Sequence, residues 1–226
     1  EADYYQKLLA MPYARNSYGG LAGSGKKFGL RATGFFHVQK LKSGRWVLVD
    51  PLGDAFFHLG VCSFGPAEDY TSIEGRKDSF AWLPPRDGAM AAAWHEDKWW
   101  SSRAVSFYKA NLIRKYGAYD ARAHLARLVE RVKRLGFNSV GAFTGNQEIF
   151  TELKFPMVAT LPLSEWQFVK PVSGVRGVFD PFEKSCAQKM DQLFREKVAP
   201  VAKEPLLIGY FLANEQGFED IPRAIP

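Results

Sequence analysis

Asn214 and Glu215 stand directly behind the apolar run 206–213 (LLIGYFLA). A carboxamide beside a carboxylic acid at the end of such a run is a pair able to do chemistry. A strand buried along its length delivers its terminal polar side chains to whatever lies beyond its tip. Partial desolvation there raises a carboxylic acid's pKa toward neutrality, so the group can protonate a leaving oxygen. Cleavage of a glycosidic bond with retention needs such an acid, plus a second carboxylate about 5–5.5 Å away to attack the anomeric carbon. Glu215 suits the acid, and Asn214 suits a hydrogen bond to a sugar 2-hydroxyl. Alone, an Asn-Glu pair is also an ordinary polar stop, so its weight depends on the elements that place it.

The other candidates carry two readings each. Trp166, a few residues beyond the run 155–161, is the best single stacking platform for a sugar ring, against simple rim packing. Asn146, with Gln147 and Glu148, follows the run 137–143 and either reaches sugar hydroxyls or opens a helix. His58 lies within 55–62 (AFFHLGVC), where an alternating register points it inward near a site mouth, unless it is a satisfied core histidine. His37, His95 and His124 have no metal-ligand spacing with one another or with Cys62 and Cys186, so no metal site is expected. Glu68, Asp69, Glu74, Asp180 and Glu183 read as solvated or capping residues, and Asp50 sits in a turn. None of them is a good second carboxylate.

The positioning elements follow from pattern. Residues 1–33 show no sustained period and read as an irregular arm, and 34–54 read as a β-hairpin: two β-rich runs (34–39, 45–50) around Lys42-Ser43-Gly44, then the turn Pro51-Leu52-Gly53-Asp54. Run 55–62 suits a strand buried on both faces. From 63 to 120 the chain has no regular alternation and one expected helix near 101–116, so it reads as a long insertion of the lid or substrate-wall kind. Thereafter helix 121–135 (N-cap Asp120, stop Gly136), strand 137–143, a short helix near 146–153, strand 155–161, helix 182–202 behind Asp180-Pro181, and strand 206–213 succeed one another. Strands alternating with helices imply parallel strands and right-handed crossovers. An open doubly wound sheet and the first half of an eight-fold barrel both fit that order. Gly60-Val61-Cys62-Ser63-Phe64-Gly65 is not a dinucleotide-binding glycine pattern, and no phosphate-binding loop is present, which favours the barrel.

Composition excludes several classes. At 46% hydrophobic and 24% charged residues the chain is ordinary globular material. Its net charge is +6, yet the basic residues punctuate an amphipathic helix (Arg122, Arg127, Arg131, Lys133, Arg134) and form no tract, so nucleic acid is not an expected partner. Two distant cysteines make no disulfide framework, and both are expected as buried free thiols. No apolar run approaches the roughly 20 residues of a membrane span, so no membrane partner is expected. The Glu1-Ala2 start lacks a Met, which suits a removed leader and a secreted or periplasmic protein.

RWVLVDPLGDAFFHLGVCS, RLGFNSVGAF, VFDPFE and PLLIGYFLANE resemble successive landmarks of clan A glycoside hydrolases, most of all the family 50 β-agarases and their uncharacterised relatives. The resemblance covers about residues 34–215. It implies a (β/α)8 barrel, a retaining mechanism, no metal or organic cofactor, and a β-linked galactose-containing polysaccharide as substrate. By motif, Glu215 takes the acid/base role and Asn214 the neighbouring sugar-binding role. The family places its nucleophilic glutamate after the seventh strand, whereas this chain ends at Pro226, just past the fourth. Residues 55–226 are therefore expected to form the first half of the catalytic barrel, with the long insertion at 63–120. Its partner is then the C-terminal half, from the same gene or a second chain. Another clan A hydrolase such as a β-galactosidase, and a non-catalytic carbohydrate-binding or scaffold relative, stay open as alternatives.

Overall fold

A computed structural model of the chain describes residues 14–65, 69–97, 102–144, 147–161 and 182–212. The described residues fall into two compact units. One holds those up to Phe64 and from Lys133 onward, the other those from Gly65 to Val132.

The first unit opens with the arm. Between residues 14 and 33 the chain makes one bridge, Arg15 to Leu21, and one helical turn, α1 (Ser24–Phe28). That stretch is short of regular structure, as expected, but it is closely stitched down. The Asn16 amide donates to Asp50 and to Asp54 (Nδ2 to Oδ2, 3.0 Å for Asp54). The Gly25 N–H donates to Asp54 Oδ1 at 2.8 Å, and the Ala55 N–H donates to Ser24 Oγ at 2.7 Å. Hydrogen bonding, first of all from the Gly25 amide, holds the Asp54 carboxyl below its usual range, although partial burial opposes it. Asp50 is wholly buried, and its Oδ1 accepts the Leu52 and Asp54 amides at 2.9 and 3.0 Å, which closes the turn. Gly20 passes so near this carboxylate that a Cβ there would collide with it.

The hairpin forms as expected. β1 (His37–Lys40) pairs antiparallel with β2 (Trp46–Val49). Run 55–62, expected as one strand, is divided. β3 (Ala55–Phe56) pairs antiparallel with β2, and β4 (Gly60–Val61) belongs to a different, parallel sheet. Residues 57–59 bridge the two, leaving Phe57 76% and Leu59 38% exposed. Continuous hydrophobicity did not show where the chain changes partners.

The second unit corrects the picture of an irregular 63–120 stretch. β5 (Thr71–Ser72), β6 (Trp94–Asp97) and β7 (Ser102–Val105) make an antiparallel sheet in the order β5-β7-β6. The helix expected from residue 101 begins only after β7, as α2 (Phe107–Tyr116). Ser106 caps it, its Oγ accepting the Lys109 N–H at 3.1 Å. Ala93, Ala110 and Ile113 form a small core with Met90 and Tyr119 against it. α3 (Ala121–Arg134) has the expected apolar stripe, with Leu125, Val129 and Val132 buried. Asp120 caps it through Oδ1 and the Ala123 N–H at 3.0 Å. Gly136, at φ 91°, ends it.

The chain then re-enters the first unit. β8 (Ser139–Val140) lies parallel to β4, with Gly60 opposite Ser139 and Val61 opposite Val140. After α4 (Gln147–Glu152) comes β9 (Met157–Thr160), joined to β8 through the Val140 N–H and the Pro156 carbonyl at 2.9 Å. α5 (Lys184–Leu193) runs into a π turn over Phe194–Val198 and a short 3-10 turn, so the expected single helix 182–202 loosens toward its end. The Asp180-Pro181 start lies outside the described residues; Glu183 occupies the cap position. β10 (Leu207–Phe211) is parallel to β9, with an irregularity between Leu207 and Gly209. Phe64, Phe150 and Phe155 fill the space beneath, with ring centroids 5.8 and 6.4 Å from Phe64. The fold is thus α/β, and β4, β8, β9 and β10 follow one another in chain order. Among the described residues no helix is long and apolar enough to cross a membrane.

Asn138 ties these parts together. Its Oδ1 accepts the Leu59 N–H at 2.9 Å and the Ser139 hydroxyl at 3.2 Å. Its Nδ2 donates to the Phe57 and Gly19 carbonyls at 2.9 and 3.2 Å. The whole capacity of the amide is used, in a residue 4% exposed. Asn138→Ala strands buried backbone groups on two segments, each worth about 1–3 kcal/mol. Urea unfolding should show a loss of at least ~2 kcal/mol, and a midpoint equal to wild type would contradict this role.

Candidate functional site

Paired parallel strands end on the same side, so the tips of β4 and β8 lie together, and so do those of β9 and β10. Their following residues are Cys62-Ser63-Phe64, Gly141 to Thr144, Leu161 and Leu212. The first two tips are bound together: the Ser63 N–H donates to the Ala142 carbonyl at 2.9 Å, and the Phe64 N–H to Thr144 Oγ1 at 3.3 Å. On β10, burial pushes the Tyr210 phenol up, which keeps it a neutral hydroxyl. The irregularity before Gly209 changes which side chains of β10 face each way ahead of the tip.

Of the residues expected at the site, Glu215, Asn214, Trp166 and Asn146 lie outside the described residues. The described chain follows β10 as far as Leu212, two residues short of the pair.

His58 is described, and it lies ahead of β4, on the entry side of the sheet. Its ring stacks on Phe56 at 6.5 Å with 26° between planes. Nε2 is buried and has no hydrogen-bond partner among the described residues. Gly60 leaves room for it, since a Cβ there would stand 2.5 Å from that nitrogen. Burial pushes the imidazole pKa down, with the Val140 backbone opposing. His58 also lines an open cavity of about 730 Å³ with Arg15, Trp46, Phe57 and Asn138. That cavity belongs to the entry side, away from the strand tips.

Cys186 is buried as expected, but Cys62 is exposed, because it follows β4 at the tip and is not enclosed within a strand. Among the described residues no group of three His, Cys, Asp or Glu is arranged to hold a metal ion. Two residues at the tips were not singled out from sequence, Ser63 and Phe143. Both have left-handed backbones, at φ 52° and 56°, and neither residue type signals that conformation.

Comparison with known proteins leads to β-agarases. The chain is 28% identical over 235 residues to Beta-agarase B of Vibrio sp. (strain JT0107), spanning 89% of this chain and 24% of that protein. It is also 28% identical to Beta-agarase A of the same strain, spanning 92% and 22%. The crystal structure of an agarase, AgWH50C, superposes with TM-score 0.73 at 25% identity, over 95% of this chain and 34% of the other. PfGH50B gives TM-score 0.67 at 26% identity, again over 95% and 34%. No protein-family model matches the chain. The homologues are thus family 50 β-agarases, and the chain spans about a quarter of the curated relatives' length.

Protonating His58 puts a charge into a buried site, where desolvation outweighs the opposing Val140 backbone. A histidine whose folded pKa is depressed favours folding above its unfolded value, near pH 6.5, and that contribution is lost as pH falls through the folded value. Urea midpoints measured from pH 8 to pH 5 should therefore fall further for wild type than for His58→Leu. Parallel profiles would show that His58 does not titrate against folding.

Proposed function

We propose that this chain is the first half of the catalytic (β/α)8 barrel of a retaining glycoside hydrolase acting on a β-linked galactose-containing, agar-type polysaccharide. The observation that carries it is the succession of β4, β8, β9 and β10 along the chain, parallel within the pairs β4–β8 and β9–β10, with Asn214-Glu215 following the fourth strand in sequence. The β-agarase homologues support the substrate class. In a barrel of this type the strand tips build the site.

In the proposed reaction Glu215 enters protonated. Its proton passes to the glycosidic oxygen as a carboxylate attacks the anomeric carbon from the opposite face. Glu215, now ionised, then takes a proton from water, and that water cleaves the glycosyl-enzyme bond. The attacking glutamate belongs to polypeptide outside this chain. Asn214 holds the sugar 2-hydroxyl, Trp166 stacks on a ring, and Asn146 contributes polar contacts, whereas His58, expected among them, lies ahead of β4 and away from the strand tips. No metal or organic cofactor takes part. Within this arrangement residues 1–33 are the arm, 34–54 the hairpin leading into the barrel, and 63–120 an insertion after the first barrel strand.

The other half is the natural partner of the strand edges. Among the described residues β4 pairs with β8 alone and β10 with β9 alone. Phe57 (76%), Leu59 (38%) and Leu212 (66%) lie exposed near those two edges. Strands five to eight of the barrel would pair with both edges and cover these side chains. A polymer too large to enter a cell places the enzyme outside the cytoplasm, secreted or periplasmic.

Glu215→Ala in the complete polypeptide should lower turnover of agarose by about 10²–10⁴-fold. On an activated aryl glycoside, whose leaving group departs without a proton, azide should restore turnover of the glycosyl-enzyme and yield the glycosyl azide with retained configuration. Near-normal hydrolysis by the variant would remove Glu215 from the mechanism.

A further inference from the structure

Three residues other than glycine have a left-handed backbone among those described: Ser63, Phe143 and Lys154. Lys154 is accounted for by the end of α4. Its N–H donates to the Thr151 carbonyl at 3.1 Å and the Phe155 N–H to Phe150 at 2.9 Å, the usual hydrogen-bond closure of a helix. Ser63 and Phe143 close no helix. They follow β4 and β8, neighbouring parallel strands, and the bond from the Ser63 N–H to the Ala142 carbonyl sets them side by side.

Phe143 bears two costs at once. Its Cβ is crowded in the left-handed region, a conformation glycine would adopt freely. Its side chain is 61% exposed, so burial returns little in compensation. Val140, two residues beyond Asn138, is by contrast fully buried. The exposed ring stands just beyond the end of β8, beside the end of β4. Strain held at an exposed ring orients that ring before anything binds.

We infer that Phe143 is a saccharide-stacking platform at the strand tips, its ring face taking the C–H face of a galactose-type pyranose. The inference rests on the proposed function and adds to it a named contact for a substrate ring. Ser63, strained beside it, shapes the rim on which the ring is carried.

The test uses the complete polypeptide carrying Glu215→Gln, so that a neutral agaro-oligosaccharide can be titrated calorimetrically without turnover. Adding Phe143→Gly should weaken binding about tenfold, equivalent to about 1.4 kcal/mol, and should leave the thermal midpoint equal or higher because the strain is relieved. Phe143→Trp should keep binding within about twofold. Unchanged affinity in the Phe143→Gly protein overturns the stacking role and leaves the agarase reading standing. A lowered thermal midpoint with unchanged affinity shows that the ring is covered by protein in the assembled molecule, and overturns it equally. If the Glu215→Gln protein with Phe143 intact binds no β-galactan oligosaccharide, and wild type releases no sugar from agarose, the agarase reading fails and this inference with it.

Discussion

A single buried carboxamide holds the first unit in register. Asn138 reaches the carbonyl of Gly19 in the arm, the carbonyl of Phe57 and the amide of Leu59 before β4, and the hydroxyl of its neighbour Ser139. Backbone groups in a bridging segment such as 57–59 have no ladder to join, and in a buried setting they must find partners elsewhere. Asn is the side chain that both donates twice and accepts twice in one plane. A carboxylate could not donate, and a longer glutamine would have to fold back. From this contact follows the alignment of β4 with β8, and from β8 the placement of β9 and β10.

A second polar cluster performs a related task at the turn that follows the hairpin. Asp50 and Asp54 are four residues apart in a turn, and their oxygens collect amides from the turn itself and from the arm, with Asn16 bridging both. Two carboxylates so near each other are tolerable because N–H donors surround them. The arm is thereby fastened to the hairpin by hydrogen bonds more than by apolar burial. This is why a segment lacking hydrophobic period still has a definite path.

Periodicity in the sequence was enough for the parts of the fold whose pattern is local. The stripe of Leu125, Val129 and Val132, the Asp120 cap and the Gly136 stop make α3 legible residue by residue, and Lys42-Ser43-Gly44 marks the hairpin. What could not be read depends on partners distant in sequence. Nothing in AFFHLGVC says that Ala55 and Phe56 pair with the hairpin while Gly60 and Val61 pair with residues 139 and 140. The β5-β7-β6 sheet escaped because its strands are short and mixed in character, so alternation never accumulates. As for the site, an apolar strand followed by an acid, together with a family likeness, singles out Glu215, which lies outside the described residues. Phe143 carries no sequence signal, since a left-handed phenylalanine is defined by backbone geometry alone.

The three-residue bridge between β3 and β4 has a consequence for how this gene can vary. Side chains alternate along an extended chain, so parity is carried from the hairpin into the parallel sheet through Phe57, His58 and Leu59. Asn138 grips the bridge at both ends, which leaves no slack to absorb a change in length. Replacing any of the three residues alters one contact, whereas deleting one would exchange the inner and outer faces of the first parallel strand. Drift at these positions should therefore accumulate as substitutions, with codon insertions and deletions displaced to the turns on either side.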